Sequence, residues 1–319
     1  EDSNLLAIDD LEEQFMQQFS AEVPADVLAQ SQAHGMALGR LIYKWSKSDG
    51  GHKAYLNNQP LDYVPPIGEG MWVPTPPDNG RALLPLWGSN RPFVLASSDE
   101  CAPPPPPQFS RDPQSITYQE ALEVYETAKN LSYEQRQLAL FWADDPGLTG
   151  PPPGHSIAII TQVLQEKQAT LADAAVAYSK VGMALADAFI GSWQVKYTYN
   201  RIRPISVIQM LIDPSWNLEQ ISDPVNTPPF PAYTSGHATE SGAAMTVLSD
   251  LFGDHYQFTD NTHANRNLAQ RTFTSFMQAA QEAATSRLYG GIHYRSDNEA
   301  GLQQGSCIGE KVNHLQYKK

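Results

Sequence analysis

The sequence predicts an all-α protein, a helix-bundle body under a proline-rich, irregular cap. Three observations point there. Apolar residues recur at helical spacing in segment after segment, while convincing two-residue β-alternation is absent. Several of those segments open with capping signals. One long stretch, residues 48–115, is dense in Pro, Gly, Trp and Asn and shows no period at all. The chain, 1–319, reads as a single domain in which 48–115 lies over a core bundle at 116–315.

Leu5 to Phe19 alternates acidic and apolar residues at helical spacing. A second helix starts at Val23-Pro24-Ala25, with proline just inside its first turn, and runs to about Trp45. The irregular stretch follows, with Trp72-Val73-Pro74-Thr75-Pro76-Pro77 and the run Pro103 to Pro107. Its Trp72, Trp87 and Phe93 call for packing onto the body rather than disorder. Thr117-Tyr118-Gln119-Glu120 and Ser132-Tyr133-Glu134-Gln135 have capping-box form, which predicts helices to about Lys129 and Ala143. A loop spans Asp145 to Gly154. Helices are then expected over Ser156–Gln168, Thr170 to about Asn200, Ala238–Leu251, Asn265–Leu288 and Asp297 to about Leu315. The small residues of the longest one, among them Ala174, Ala175, Ala177, Gly182, Ala184, Ala186 and Ala188, suit a closely packed bundle member.

A hydrophobic content of 41% with 18% charged residues excludes a disordered chain. The net charge of −14 repels nucleic acid and anionic membrane, so neither is expected as a partner. Any anion site must therefore be a cationic pocket set against the field of the whole protein. No run of about 18 apolar residues stands out, so no membrane-spanning helix is expected. Cys101 and Cys307 can pair or stay free, and neither is bracketed at metal-ligand spacing. The chain opens Glu1-Asp2-Ser3 without Met, which fits a removed signal peptide and a periplasmic or secreted location. Nothing in the sequence sets the oligomeric state.

Three clusters carry chemistry. In the first, Lys196 and Arg203 stand seven residues apart, on one helix face about two turns apart. Pro204 disfavours helix at Arg203, so that arginine sits at or past the helix end. In the second, Ser235-Gly236-His237 precedes a run of small apolar residues. Serine there is an N-cap signal, and a helix N-terminus offers free N–H groups to an anion. Gly236 allows close backbone approach to a ligand. In the third, Ser286-Arg287 is followed by Gly290-Gly291, which ends one helix, and by His293 in the short joint before the next. Asp297 is placed to orient His293 through its second nitrogen. Together the clusters supply one lysine, two arginines, a hydroxyl, a backbone N–H and two histidines, the donor set that a multiply charged oxyanion needs.

These spacings resemble the signature shared by the vanadium-dependent haloperoxidases and the type 2 phosphatidic acid phosphatase superfamily. Every element matches except one: Thr234 stands where the family usually has proline. Trp193, three residues before Lys196, resembles the haloperoxidase branch. So do Phe141-Trp142-Ala143-Asp144, Pro152-Pro153-Gly154-His155, Trp72 to Pro77, Leu86-Trp87-Gly88 and Arg91-Pro92-Phe93. Tyr233 to His237 and Tyr289 to His293 look closest to bacterial iodoperoxidases.

The resemblance implies a haloperoxidase/acid-phosphatase-like fold and a vanadate cofactor held by one bond from His293. Lys196, Arg203, Ser235, Gly236 and Arg287 would offset its oxygens. His237 would be the acid–base group, with Lys196 and Asp297 completing the catalytic set. Trp193 and Phe230 would line the halide pocket. Hydrogen peroxide and a halide, iodide before bromide, would be the substrates, and hypohalous acid the product. The alternative is a soluble acid phosphatase with His293 as phosphohistidine nucleophile. Of the remaining residues, Asp144 and Asp145 are expected as solvated loop acids, and failing that as partners of a site arginine. His155 is expected to line the entrance or merely to pack. His34, His52, His255, His263 and His314 are expected at the surface or in packing.

Overall fold

The computed structural model describes residues 2–145, 149–217 and 225–317. The predicted loop at 145–154 therefore falls partly, at 146–148, outside the described residues. Two compact units are present, Glu1–His52 and Lys53–Lys319. The first is a helical hairpin of α1 (Asp2–Ser20) and α2 (Ala25–Ser46), with Gln32 Nε2 donating to Glu12 Oε1 at 2.9 Å.

The second unit is the body. Its helices are α3 (Ala54–Asn57), α4 (Ile116–Lys129), α5 (Tyr133–Phe141), α6 (Pro152–Glu166), α7 (Leu171–Tyr199), α8 (Pro204–Leu211), α9 (Gly236–Phe252), α10 (Phe276–Tyr289) and α11 (Arg295–Asn313). The capping box read at Ser132 forms in full and Thr170 caps the helix expected to begin there, whereas α4 is capped by Ser115 rather than Thr117, whose hydroxyl instead donates to Gln108 O. Helix α9 is the axis. Most of it is buried, and α6, α7, α10 and α11 pack around it.

The closest approach is between α9 and α11. Gly301, Gly305 and Gly309 recur every fourth residue on α11 and form one stripe. A Cβ on them would meet Ser235 O at 2.8 Å, Thr239 O at 2.1 Å and Ala243 O at 2.7 Å. Backbone therefore lies on backbone, and the starts of α9 and α11 are held side by side. Gly305→Ala is expected to cost about 1–3 kcal/mol or more through overpacking, read as a fall in the calorimetric Tm. An unchanged Tm would contradict this packing.

The proline-rich segment packs onto the body. Trp72 is fully buried, and its backbone N–H donates to Asn200 O at 2.7 Å. The N–H groups of Phe93, Val94 and Leu95 all donate to the buried Asp187 carboxylate of α7. Cys101 is disulfide-bonded to Cys307 of α11, which answers the pairing left open by the sequence.

The structure also departs from the sequence reading elsewhere. The helix expected from Asn265 starts only at Phe276, capped by Ser275. A short antiparallel hairpin precedes it, β1 (Phe258–Asp260) with β2 (Arg271–Phe273), paired Phe258 to Phe273. Three-residue strands are too short to show a period, and Asn267 breaks any helix there by adopting φ 59°. Helix α6 starts at Pro152 rather than Ser156, because proline is tolerated in a first turn. Helix α8, begun by Pro204, was not foreseen. By length and composition α7 meets the measure of a membrane-crossing helix, where none was expected. Half of that stretch is buried inside the body, with Ala177, Ala184 and Ala188 in the core.

Candidate active site

The chain ends and restarts helices around one spot. Trp193 and Lys196 lie in the last turns of α7, which stops at Asn200 in the left-handed region, φ 48°. Arg203 is the extended N-cap residue of α8. Ser235 is the N-cap residue of α9, with Gly236 and His237 in its first turn. Arg287 is in the last turn of α10. The chain turns at Gly291, φ 74°, and delivers His293 just before α11, whose first turn holds Asp297. Lys196, Arg203, Ser235, Arg287, His293 and Asp297 are all buried.

His293 is held through both ring nitrogens. Nδ1 is 3.1 Å from Asp297 Oδ2, and Nε2 is 3.2 Å from Arg203 Nη1. The carboxylate accepts and the guanidinium donates, so the partners assign the proton to Nδ1 and a lone pair to Nε2. Burial, then Arg203 and Lys196, push the imidazole pKa well below its ordinary value, so the ring is neutral at neutral pH. Asp297 is itself braced. Arg201 Nη1 donates to its Oδ1 at 2.6 Å, Arg201 Nη2 donates to Glu120 Oε2 at 2.8 Å, and Ser296 N–H donates to Glu120 Oε1 at 2.8 Å. Neither Arg201 nor Glu120 was singled out for the site from sequence, where Glu120 was read only as part of a capping box. Arg201 sits between two residues that were, and Glu120 reaches in from α4 with no local signal.

The cations are the unusual feature. Among the described residues, Lys196, Arg203 and Arg287 form no ion pair with a carboxylate. Arg203 donates to the carbonyls of Phe230 and Ile292, and Arg287 to that of Trp142. Burial pulls their pKa values down, to about 9 for Arg203 and about 10 for Arg287. Both remain charged at neutral pH. Among the described residues, Arg203 Nη2, Arg287 Nε and Ser235 Oγ are buried donors of this site without a partner. Ser235 occupies the N-cap position but does not use its hydroxyl for capping. A Cβ on Gly236 would meet Trp193 at 3.5 Å, ordinary contact, so the protein's own packing does not demand glycine there.

Lys196 departs from its expected part. Its Nζ donates to three carbonyls, Pro231 at 3.0 Å, Ala232 at 3.2 Å and Thr234 at 2.5 Å. An ammonium has three protons, and all three are taken. Lys196 therefore braces the segment leading into Ser235, while burial and then Arg203 hold its pKa well below the ordinary lysine value. Trp193 and Phe230 form one wall, 4.9 Å between ring centroids, with Lys196 Nζ 5.0 Å from the Phe230 ring centre.

His237 is the least enclosed ionisable group of the set, its side chain 16% accessible. Burial and then Arg287 lower its pKa well below the usual value, while Asp144 and the Ala143 carbonyl oppose them. Asp144 is not a solvated loop acid. It is buried, with Oδ1 2.9 Å from His155 Nδ1 and Oδ2 3.9 Å from His237 Nε2. Asp144 and Asp145 raise the proton affinity of Arg287 without pairing to it. His155 lines no entrance: it is 2% exposed, between Asp144 and Asp260. His263 is likewise buried, with Nε2 3.4 Å from Asp144 Oδ1 and outside hydrogen-bond geometry. No spacing in the sequence links residues 144, 155, 260 and 263; the β1–β2 hairpin brings the last two in.

Known proteins resemble this chain in the same sense. The family model for the VCPO second helical-bundle domain matches residues 177–318. The vanadium chloroperoxidase of Curvularia inaequalis is 25% identical over 282 residues, 68% of this chain and 46% of that protein, so the chain spans about half the length of this curated relative. Two structures of a bacterial vanadium-dependent chloroperoxidase, in apo and holo form, share the fold. Their TM-scores are 0.58 and 0.55 at 14% and 16% identity, covering 73% of this chain and 55% and 54% of theirs. The crystal structure of a bacterial vanadium-dependent iodoperoxidase aligns with a TM-score of 0.84 and 38% identity over 97% of this chain and 74% of that one. With that identity over nearly its whole length, this chain belongs to the vanadium-dependent haloperoxidase family.

Proposed function

We propose that the protein oxidises iodide, and bromide as its second substrate, with hydrogen peroxide, using bound vanadate. The supporting observation is the set of buried cations without carboxylate partners around His293 Nε2. Uncompensated buried charge is costly, so a site of this kind is completed by an anion. The donors suit a tetrahedral oxyanion, since unpartnered Arg203 Nη2, Arg287 Nε and Ser235 Oγ offer hydrogens from separate elements. Bound vanadate would supply the hard oxo-metal chemistry that activates peroxide toward halide without a change of oxidation state.

The protein's part is positioning, charge and one proton. His293 Nε2 would be the single ligand to the metal, oriented by Asp297 through Nδ1. Arg203, Arg287, Ser235 and the Gly236 N–H would offset the charge on the oxygens, with Lys196 bracing the segment that leads into Ser235. The reaction H₂O₂ + I⁻ + H⁺ → HOI + H₂O consumes a proton. His237, neutral at rest, would take a proton from incoming peroxide and return it to the departing oxygen. The Trp193–Phe230 wall would exclude water and face the halide. The disulfide supports the proposal of a periplasmic or secreted protein, since such bonds persist in oxidising compartments.

A neutral His293 with its lone pair on Nε2 would also serve a phosphatase as nucleophile. The test therefore has two arms. Metal-free protein should gain peroxide-dependent iodide oxidation when orthovanadate is added, and show negligible phosphate-ester hydrolysis without it. Ester hydrolysis with no vanadate-dependent oxidation would overturn the proposal in favour of the phosphatase.

A further inference from the structure

Beside the oxyanion cage, Asp144, His155, Asp260 and His263 meet in one buried cluster that the reaction above leaves unused. His155 is its centre. Nδ1 is 2.9 Å from Asp144 Oδ1, and Nε2 is 2.8 Å from Asp260 Oδ2. Ionised carboxylates only accept hydrogen bonds, so both ring nitrogens must carry hydrogen. That makes His155 an imidazolium between two carboxylates. The indole of Trp142 stacks on the ring at 4.5 Å and 23°, a face that favours a cation. Asp260 is fixed from behind, as Thr262 donates to its Oδ1 through N–H at 2.9 Å and through Oγ1 at 2.6 Å. A braced chain thus runs from Thr262 through Asp260 and His155 to Asp144, and ends 3.9 Å from His237 Nε2.

We propose that His155 and Asp260 are positioning residues for the acid–base histidine, holding Asp144 ionised and aimed at His237 Nε2. This deepens the haloperoxidase reading and rests on it for the role of His237. The proton that His237 takes up is then received against a fixed negative charge. The groups facing His237 oppose one another: Arg287 of α10 and His155 of α6 disfavour its protonation, and Asp144 favours it. Without the imidazolium, burial would push Asp144 toward the neutral acid, and His237 would lose its counter-charge. Burial alone would lower the His155 pKa, but the hydrogen bonds and charges of Asp144 and Asp260 outweigh it and raise it to about 9. A raised pKa stabilises the fold fully below the unfolded value near 6.5. That contribution is lost as pH rises through about 9.

Two measurements test this. The first needs neither vanadate nor turnover: long-range ¹H–¹⁵N NMR of the vanadate-free protein at pH 7.5. His155 should show two protonated nitrogens and titrate only near pH 9. A neutral ring at pH 7.5 would overturn the proposal. So would an equimolar divalent metal found by mass spectrometry, because Nδ1 would then carry a metal instead of a proton. The second uses Asp260→Asn, which keeps the shape and the Thr262 contacts but lets Asn donate to His155 Nε2, so that His155 becomes neutral. In the vanadate-loaded enzyme the kcat–pH profile should move to lower pH by about one unit and kcat should fall about tenfold, with vanadate affinity unchanged within twofold. A profile superimposable on the wild-type one would overturn the proposal. If vanadate confers no oxidation activity, the haloperoxidase reading fails while the NMR result still stands or falls by itself.

Discussion

His237→Ala is expected to lower the turnover of peroxide-dependent iodide oxidation by about 10²–10⁴-fold, the usual worth of a positioned acid–base group. Vanadate affinity should change little. His237 sits in the first turn of α9, next to the Ser235 hydroxyl and the Gly236 N–H, yet its Nε2 is among the buried atoms with no hydrogen-bond partner. It is held neutral by burial and Arg287, which suits a proton acceptor and adds nothing to anion binding. Binding and turnover therefore separate at this residue. Steady-state kinetics alongside a vanadate titration checks it, and turnover within twofold of wild type would remove His237 from the role proposed.

His293→Ala is expected to have the opposite signature, with vanadate binding and turnover lost together. The imidazole offers one lone pair, on Nε2, set by the Asp297 contact at Nδ1 and faced by Arg203. Alanine removes that ligand and leaves the Arg203 cation with neither histidine nor anion beside it. Saturating vanadate should restore less than about 1% of turnover if the bond to the metal lies on the reaction path. Full activity at high vanadate would show that the arginines hold the anion without His293.

Much of this site was legible because each part sits where one helix ends and another begins. Proline after Arg203, serine before Gly236 and the Gly290-Gly291 pair before His293 mark those junctions in the sequence itself. The starts of α5 and α7 were legible for the same reason, through capping residues whose hydrogen bonds are local, while the cap of α4, Ser115, lies two residues before the box read at Thr117. What escaped is long-range. Glu120 and Arg201 brace Asp297 across a large separation in sequence, and Asp260 and His263 arrive on a hairpin whose strands are too short to show a pattern. Lys196 shows a subtler limit. Its position was foreseen, but its three donors are committed to carbonyls that only the folded path of residues 231–234 brings within reach.

The central claim is that buried cations lacking carboxylate partners are completed by one oxyanion. Equilibrium dialysis of the metal-free protein against orthovanadate, for wild type and Arg203→Ala, tests it most directly. The account predicts one vanadate per chain, competed by phosphate, with affinity falling at least about tenfold in Arg203→Ala through the loss of charge-assisted hydrogen bonds. No saturable binding, or equal affinity in the two proteins, would contradict it.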